Sequence, residues 1–218
     1  MSETVRTFGV QDADRYWQDR QKAHGASERR LHRFLADLID RTVGPGGKVL
    51  DCGVGSGHVF RLCHLRQQMY GVEMSAHAIA GYDFPTTNIR QADLNRGIPD
   101  FGVRFDAILA SMVLHWLDDP RGFLVQVAER LAPAGRLLAV IPNITYYRFR
   151  LAFLFGRFPP ISLSHRNFQT PREFEAMARD AGYRILRRTS PKRKIRARLW
   201  PALFSQDIVY VLQPLRTT

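Results

Sequence analysis

The ten residues Lys48-Val-Leu-Asp-Cys-Gly-Val-Gly-Ser-Gly57 constrain the fold more tightly than any other stretch of the chain. A short apolar run ends in an acid, and glycine then recurs at every second position, Gly53, Gly55 and Gly57. Glycine tolerates positive φ and lets the backbone approach a ligand that a Cβ would hold off. The next residues, His58-Val-Phe-Arg-Leu-Cys-His-Leu65, open a helix whose first N–H groups lack partners within the helix and face the same turn. Strand, glycine turn and helix in this order build a nucleotide-type pocket at the end of a parallel strand. Alone, such a unit can also be a simple tight connection, so its meaning depends on the segments downstream of it.

Three of those segments supply the context. Gln68-Met-Tyr-Gly-Val-Glu-Met74 reads as a second strand ending in an acid, and Asn88-Ile-Arg-Gln-Ala-Asp-Leu94 as a third. Phe105-Asp-Ala-Ile-Leu-Ala-Ser-Met112 is a nearly continuous apolar run, as expected of a strand buried on both faces. Dinucleotide-binding folds space their glycines as G-x-G-x-x-G, whereas this chain has Asp51-x-Gly53-x-Gly55-x-Gly57. That spacing, with acids at three successive strand ends, resembles the class I S-adenosylmethionine (SAM) methyltransferases, including the methyltransferase type 11 and MetW-like groups.

The resemblance implies a pocket for SAM, with S-adenosylhomocysteine as product and no metal. SAM has no pyrophosphate for a helix end to hold; its sulfonium and ammonium groups suit a carboxylate at the turn. Asp51, Gly53, Gly55 and Gly57 would form that turn. Glu73 would accept from both ribose hydroxyls, with Met74 beside it, and Asp93 from the adenine amino group, with Leu94 beside it. Ser111, at the end of the fourth strand, and Tyr16 and Trp17, closing over the methionine end, complete the expected contacts.

The fold class implied is α/β: a Rossmann-like, doubly wound, seven-stranded, mostly parallel sheet with an antiparallel last strand and helices on both faces. Asp12 to His24 and Ser27 to Thr42 read as amphipathic helices, the second with Leu31, Phe34, Leu35, Leu38 and Ile39 on one face. Asp119 to Leu131 reads as a helix broken by Pro133-Ala-Gly135, and Arg136 to Ile141 as the fifth strand. Thr170-Pro-Arg-Glu173 is a capping-box helix start, and Tyr183 to Arg188 and Asp207 to Leu212 form the last strand pair. The expected organisation is a helical cap over 1–43, a SAM-binding core over 44–143, an aromatic and basic insert over 144–169, and a C-terminal helix and strand hairpin over 170–218 that completes the same sheet.

With 218 residues, one sizeable core is expected. No apolar run is long enough to cross a membrane and the N-terminus lacks signal-peptide features. The two cysteines, Cys52 and Cys63, suggest neither a disulfide framework nor a zinc site. A cytoplasmic location, with peripheral membrane contact as an option, is the resulting expectation.

Charge points to the acceptor. Of the formal net charge of +12, nearly all lies between Ile144 and Arg198, where 14 Lys and Arg stand against three acids. In this fold that region caps the active site, so a phosphate, a carboxylate, an acidic carrier protein or an anionic membrane surface is a fitting partner. Within it, Thr145-Tyr-Tyr-Arg-Phe-Arg-Leu-Ala-Phe-Leu-Phe-Gly-Arg-Phe158 interleaves aromatics with arginines. As a helix, its Tyr146, Phe149, Phe153 and Leu154 would share a face, serving as a core-packed lid, a homodimer contact, a hydrophobic substrate tunnel, a membrane-surface helix or a stacking platform. No nucleic-acid-binding module accompanies the charge, so nucleic acid is the weaker expectation.

Tyr70-Gly-Val-Glu73, Ile141-Pro-Asn143, the insert ending Gly156-Arg-Phe-Pro159, and Leu203 to Leu212 resemble the MetW proteins of methionine biosynthesis. That resemblance implies a second role, as a SAM-fold regulatory partner of another enzyme. The N-terminal Arg15-Tyr-Trp-Gln18 is more similar to enzymes acting on sugars, lipids or secondary metabolites. The absence of a D/N-P-P-Y/F motif after strand four argues against the amide- and adenine-methylating families. The expected activity is O-methylation of a small or lipid-linked acidic acceptor. Methyl transfer from a sulfonium gains most from positioning, and two histidines, His115 and His165, are candidates for a base.

Overall fold

The computed structural model describes residues 9–20, 26–64, 68–158, 167–192 and 195–215. Its centre is a seven-stranded sheet of β1 (Val49–Cys52), β2 (Met69–Glu73), β3 (Ile89–Gln91), β4 (Phe105–Ser111), β5 (Leu131–Pro142), β6 (Tyr183–Thr189) and β7 (Asp207–Pro214). The spatial order is β3-β2-β1-β4-β5-β7-β6. β1 to β5 pair in parallel, while β7 runs antiparallel between β5 and β6. The chain reverses its direction of winding between β1 and β4, the switch point outside whose strand ends open α/β sheets form their ligand crevice.

Helices α1 (Val10–Arg20), α2 (Ala26–Thr42), α3 (His58–Leu62), α4 (Ala76–Ala80), α5 (Pro120–Arg130), α6 (Tyr147–Leu154), α7 (Pro171–Asp180), α8 (Ile195–Leu199) and α9 (Pro201–Phe204) complete the described chain. Alternation along the strands divides the core into two layers. Leu50, Cys52, Ile108 and Leu137 pack with Phe123, Leu124 and Val127 of α5 and Phe174 of α7. Val49, Leu109, Leu138 and Val140 pack with Leu35 and Ile39 of α2 and Phe60 of α3. Of the apolar stripe of α2, Leu31, Leu35, Leu38 and Ile39 are buried and Phe34 is half-buried against the same layer.

Local signals set the helix starts. Thr170 and Glu173 form the capping box at α7, and Asp119 caps α5 ahead of Pro120. Strand boundaries differ in one instructive place. β5 begins at Leu131, five residues before the expected Arg136, because Leu131 pairs with Phe105 before the register shifts and Arg136 pairs with Ala107. The Pro133–Gly135 segment is thus an irregularity within the strand rather than a break before it. A Cβ on Gly135 would lie 2.7 Å from the Phe105 carbonyl oxygen, so only glycine permits the close passage. The third strand is also shorter than expected, ending at Gln91, two residues before Asp93.

Candidate functional site

The glycine turn lies in the switch-point crevice, at the carboxyl end of β1. Gly53, Gly55 and Gly57 all have positive φ, at 87°, 59° and 71°. The turn is tied to β2 by the N–H groups of Gly53 and Val54, which donate to the Val72 carbonyl at 2.8 and 3.2 Å. The protein itself fills the space that each missing side chain leaves. A Cβ on Gly53 would meet Val113 at 2.6 Å, one on Gly55 would meet Trp17 at 2.9 Å, and one on Gly57 would meet Phe84 at 2.7 Å.

Two carboxylates define the electrostatics. Asp51 is 2% exposed, and its Oδ1 is buried with no hydrogen-bond partner among the described residues. Burial, and then the charge of Glu73, holds its carboxyl well above the ordinary carboxylate range. Glu73 bridges the turn and the start of α4: Oε2 accepts from the Gly55 N–H at 2.8 Å and Oε1 from the Ser75 N–H at 2.9 Å. Burial pushes its pKa up, against the pull of these backbone donors. Tyr82 donates its hydroxyl to the Gly55 carbonyl at 2.8 Å, and burial beside both acids raises its pKa. A buried carboxylate oxygen without a partner is costly in the ligand-free protein and becomes favourable once a cation reaches it. This arrangement fits SAM: Asp51 would face its cationic groups and Glu73 its hydroxyls.

Helix α1 closes one side of the crevice. Asp14 accepts from the Ser75 hydroxyl at 2.5 Å and from the His77 N–H at 3.2 Å, fastening α1 to the first turn of α4. These bonds depress the Asp14 pKa. Trp17 therefore rests on Gly55, and Tyr16 packs edge-on against Trp17 and Trp116, with ring centroids at 5.3 and 5.9 Å. Trp17 thus lies on the turn, with Tyr16 between it and Trp116.

The remaining positions vary in their placement. Asp93 follows β3 and caps a 3-10 turn, Leu94–Arg96, by accepting from the Asn95 N–H at 2.9 Å. The Met74 carbonyl accepts from Gln91 Nε2 at 3.2 Å. Ser111 ends β4, and Met112 after it has φ 59°, the one non-glycine residue with positive φ among those described. Bulky residues adopt this region rarely, and strain of this kind concentrates at functional sites. His115 is buried in the next turn, tilted against Trp116 with ring centroids at 5.5 Å, and its carbonyl accepts from the Asn167 N–H at 3.2 Å. His165 lies outside the described residues.

Beyond β5, sequence reasoning assigned no structural role to the residue that holds the following segments together. Asn143 is fully buried; its Nδ2 donates to the Ala202 and Ser205 carbonyls, both at 2.7 Å. Its Oδ1 accepts from the Thr145 N–H at 3.0 Å and hydroxyl at 2.7 Å. One side chain thus joins the end of β5 to α9 and to the start of α6. The only sequence signal is its place directly after a strand in Ile141-Pro-Asn143. Tyr146 caps α6 and is buried, with Phe149 at 5.4 Å and Lys192 Nζ 4.5 Å above its ring. The expected single apolar face does not form: Tyr146 and Phe149 pack inward, whereas Phe153 and Leu154 are exposed.

Comparison with known proteins agrees with the geometry. Residues 27–188 match the family described as a methyltransferase domain. No curated protein matches the chain in sequence. Among solved structures, the CcbJ methyltransferase from Streptomyces caelestis aligns with a TM-score of 0.71 at 18% identity, over 96% of this chain and 98% of that one. A SAM-dependent methyltransferase from Archaeoglobus fulgidus aligns with a TM-score of 0.67 at 17% identity, over 91% and 99%. The glycopeptide N-methyltransferase MtfA, complexed with S-adenosylhomocysteine, aligns at 0.59 and 20% identity, over 89% and 91%. The glycine turn, its two buried acids and the seven-stranded topology accordingly identify the chain as a member of the methyltransferase-domain family, a class I SAM-dependent methyltransferase.

Proposed function

We propose that the protein methylates an oxygen of a small or lipid-linked acceptor that carries negative charge. The observation that carries this reading is Lys192. Its ammonium lies over the Tyr146 ring and 3.4 Å from the Tyr146 hydroxyl, in the module beyond the carboxyl end of β5. Burial lowers the Lys192 pKa, so the cation is partly stripped of water. An anionic group of the acceptor would replace that lost hydration. The aromatic floor would hold the acceptor's apolar part.

When bound, SAM supplies the electrophilic methyl group. Asp51 and Glu73 would hold it from below, and Trp17 and Tyr16 would exclude water from the turn. His115, behind Trp116, is the base candidate within the described residues; it would take the proton of an acceptor hydroxyl. Most of the rate gain would come from holding the nucleophile in line rather than from proton transfer.

The test is methyl transfer, followed by mass spectrometry, over matched acceptors with and without a carboxylate or phosphate. Anionic acceptors should be preferred, and Lys192→Met should raise KM for them by about tenfold, the worth of one charged hydrogen bond. Equal turnover of neutral and anionic acceptors, or transfer to nitrogen alone, would overturn the reading.

A further inference from the structure

Helix α8 is inside out by the ordinary rule for surface helices. Its alanine, Ala197, is 1% exposed, whereas Ile195 and Leu199, one turn apart on the opposite face, are 70% and 71% exposed. Trp200, directly after the helix, is 68% exposed. The end of α6 and the turn after it behave alike: Leu154, Phe155 and Phe158 are 60–76% exposed. The link between them is α9, which follows α8 directly: Tyr147 of α6 packs on Phe204 of α9 at 5.6 Å, and Asn143 ties the end of β5 to Ala202 of α9 and to Thr145 just before α6. Single exposed apolar residues are ordinary, but six large ones on two short segments, both joined to α9, mark an interaction surface.

The charge around this surface selects the occupant. No acid occurs between Asn143 and Phe158, or between Ser190 and Gln206. Arg148, Arg150, Arg157 and Arg196 stand on the described elements, and Arg193 and Lys194 precede α8 in the sequence. The three acids of the wider basic region, Glu173, Glu175 and Asp180, all lie in α7. Glu175 is spent on Arg188 and Tyr210, and Glu173 on the capping box. Protruding aliphatic and aromatic side chains interleaved with arginines are the pattern of an element lying in the headgroup region of an anionic bilayer.

We propose that α6 and α8 form a docking surface for anionic lipid membranes. α6 follows the carboxyl end of β5, the sheet edge that also carries the glycine turn, so docking would bring the segment beyond β5 to the bilayer. Lipid binding itself does not depend on the acceptor being lipid-linked.

The test is flotation of the full chain with phosphatidylcholine vesicles, with and without phosphatidylglycerol at about one third. Binding should rise at least tenfold with the anionic lipid and fall as salt is raised, as surface charge attraction requires. Tryptophan emission should shift to the blue on binding, and Trp200→Phe should remove most of the shift while Trp17 and Trp116 remain. The variant Leu199→Ser/Trp200→Ser, at exposed positions, should lose binding about tenfold and keep its SAM affinity and unfolding midpoint. Equal binding to neutral vesicles, or binding that survives this variant, would overturn the proposal. So would a stable dimer in lipid-free solution that the same variant dissociates, or preferential capture of an acidic protein or RNA over anionic vesicles. Because the readout is lipid binding, its failure leaves the acceptor-preference assay standing, and the reverse.

Discussion

Asn143→Ala isolates the segment beyond β5 from the glycine turn. The substitution keeps the backbone bonds of residue 143 and deletes five side-chain bonds, three donated to Pro201 (a long 3.5 Å), Ala202 and Ser205 and two accepted from Thr145. Ala202 retains a second donor, the Thr145 hydroxyl at 3.2 Å, so the groups most exposed to loss are the Ser205 carbonyl and the Thr145 N–H. Each buried polar group left without its partner costs about 1–3 kcal/mol. Two such groups, with water entering part of the vacated space, give about 3 kcal/mol, a large share of the ~5–15 kcal/mol that holds a domain folded. For a chain of this size that lowers Tm by about 6–12 °C. Urea denaturation and calorimetry would measure it. Asn143→Asp sharpens the test: it keeps both acceptor bonds but sets a carboxylate against two carbonyls, so it should destabilise at least as much at neutral pH and recover in acid. SAM affinity, read by titration calorimetry, should change less than about threefold in either variant, since the turn and Glu73 sit at β1 and β2. A loss below about 1 kcal/mol, or a fall in SAM affinity matching the fall in stability, would refute the assignment of Asn143 as a tie of the segment beyond β5.

The cofactor side yields two more expectations. Asp51 and Glu73 have native pKa values raised by burial. Such acids bind more protons folded than unfolded, so the ligand-free protein should lose stability as pH rises from about 4 towards the raised native values. Asp51→Asn should flatten that decline, and parallel profiles in urea titrations at several pH values would refute the buried-acid account. Gly55→Ala should cost about 1–2 kcal/mol from its left-handed backbone, and more from the Cβ that meets Trp17. Trp17→Ala should relieve the second part, giving a coupling of at least ~0.5 kcal/mol in a double-mutant cycle; simple additivity would mean that Trp17 does not rest on the turn in solution.

Local chemistry decides what can be read from the sequence. The glycine turn, Asp51 and Glu73 each sit at the end of an apolar run, and a parallel sheet brings successive strand ends together at one edge. Position along the chain therefore implies position in the fold. The links that assemble the rest span long separations and leave no local trace. Nothing in Asp12 to His24 announces that Asp14 will cap α4 through Ser75, or that Trp17 will fill the space above Gly55. Nor does Pro133-Ala-Gly135 reveal that the Phe105 carbonyl passes close enough to need glycine there.

The triplet Gly53, Gly55 and Gly57 consequently has two causes. Its spacing reads as room for a ligand, yet Val113, Trp17 and Phe84 take up the space that its missing side chains leave. Ligand access and interior packing make the same demand at these positions, and the triplet alone does not separate them. The partnerless oxygen of Asp51 does separate them, because packing alone gains nothing from a buried carboxylate without a donor. The segment beyond β5 has no comparable pair of local signals. Asn143 and Tyr146 share one segment after β5, but Lys192 and the α9 carbonyls that Asn143 holds come from far along the chain. The turn and its acids are therefore positioned by successive strand ends of the sheet, whereas the segment beyond β5 takes its shape from long-range ties such as those Asn143 makes to α9 and Thr145.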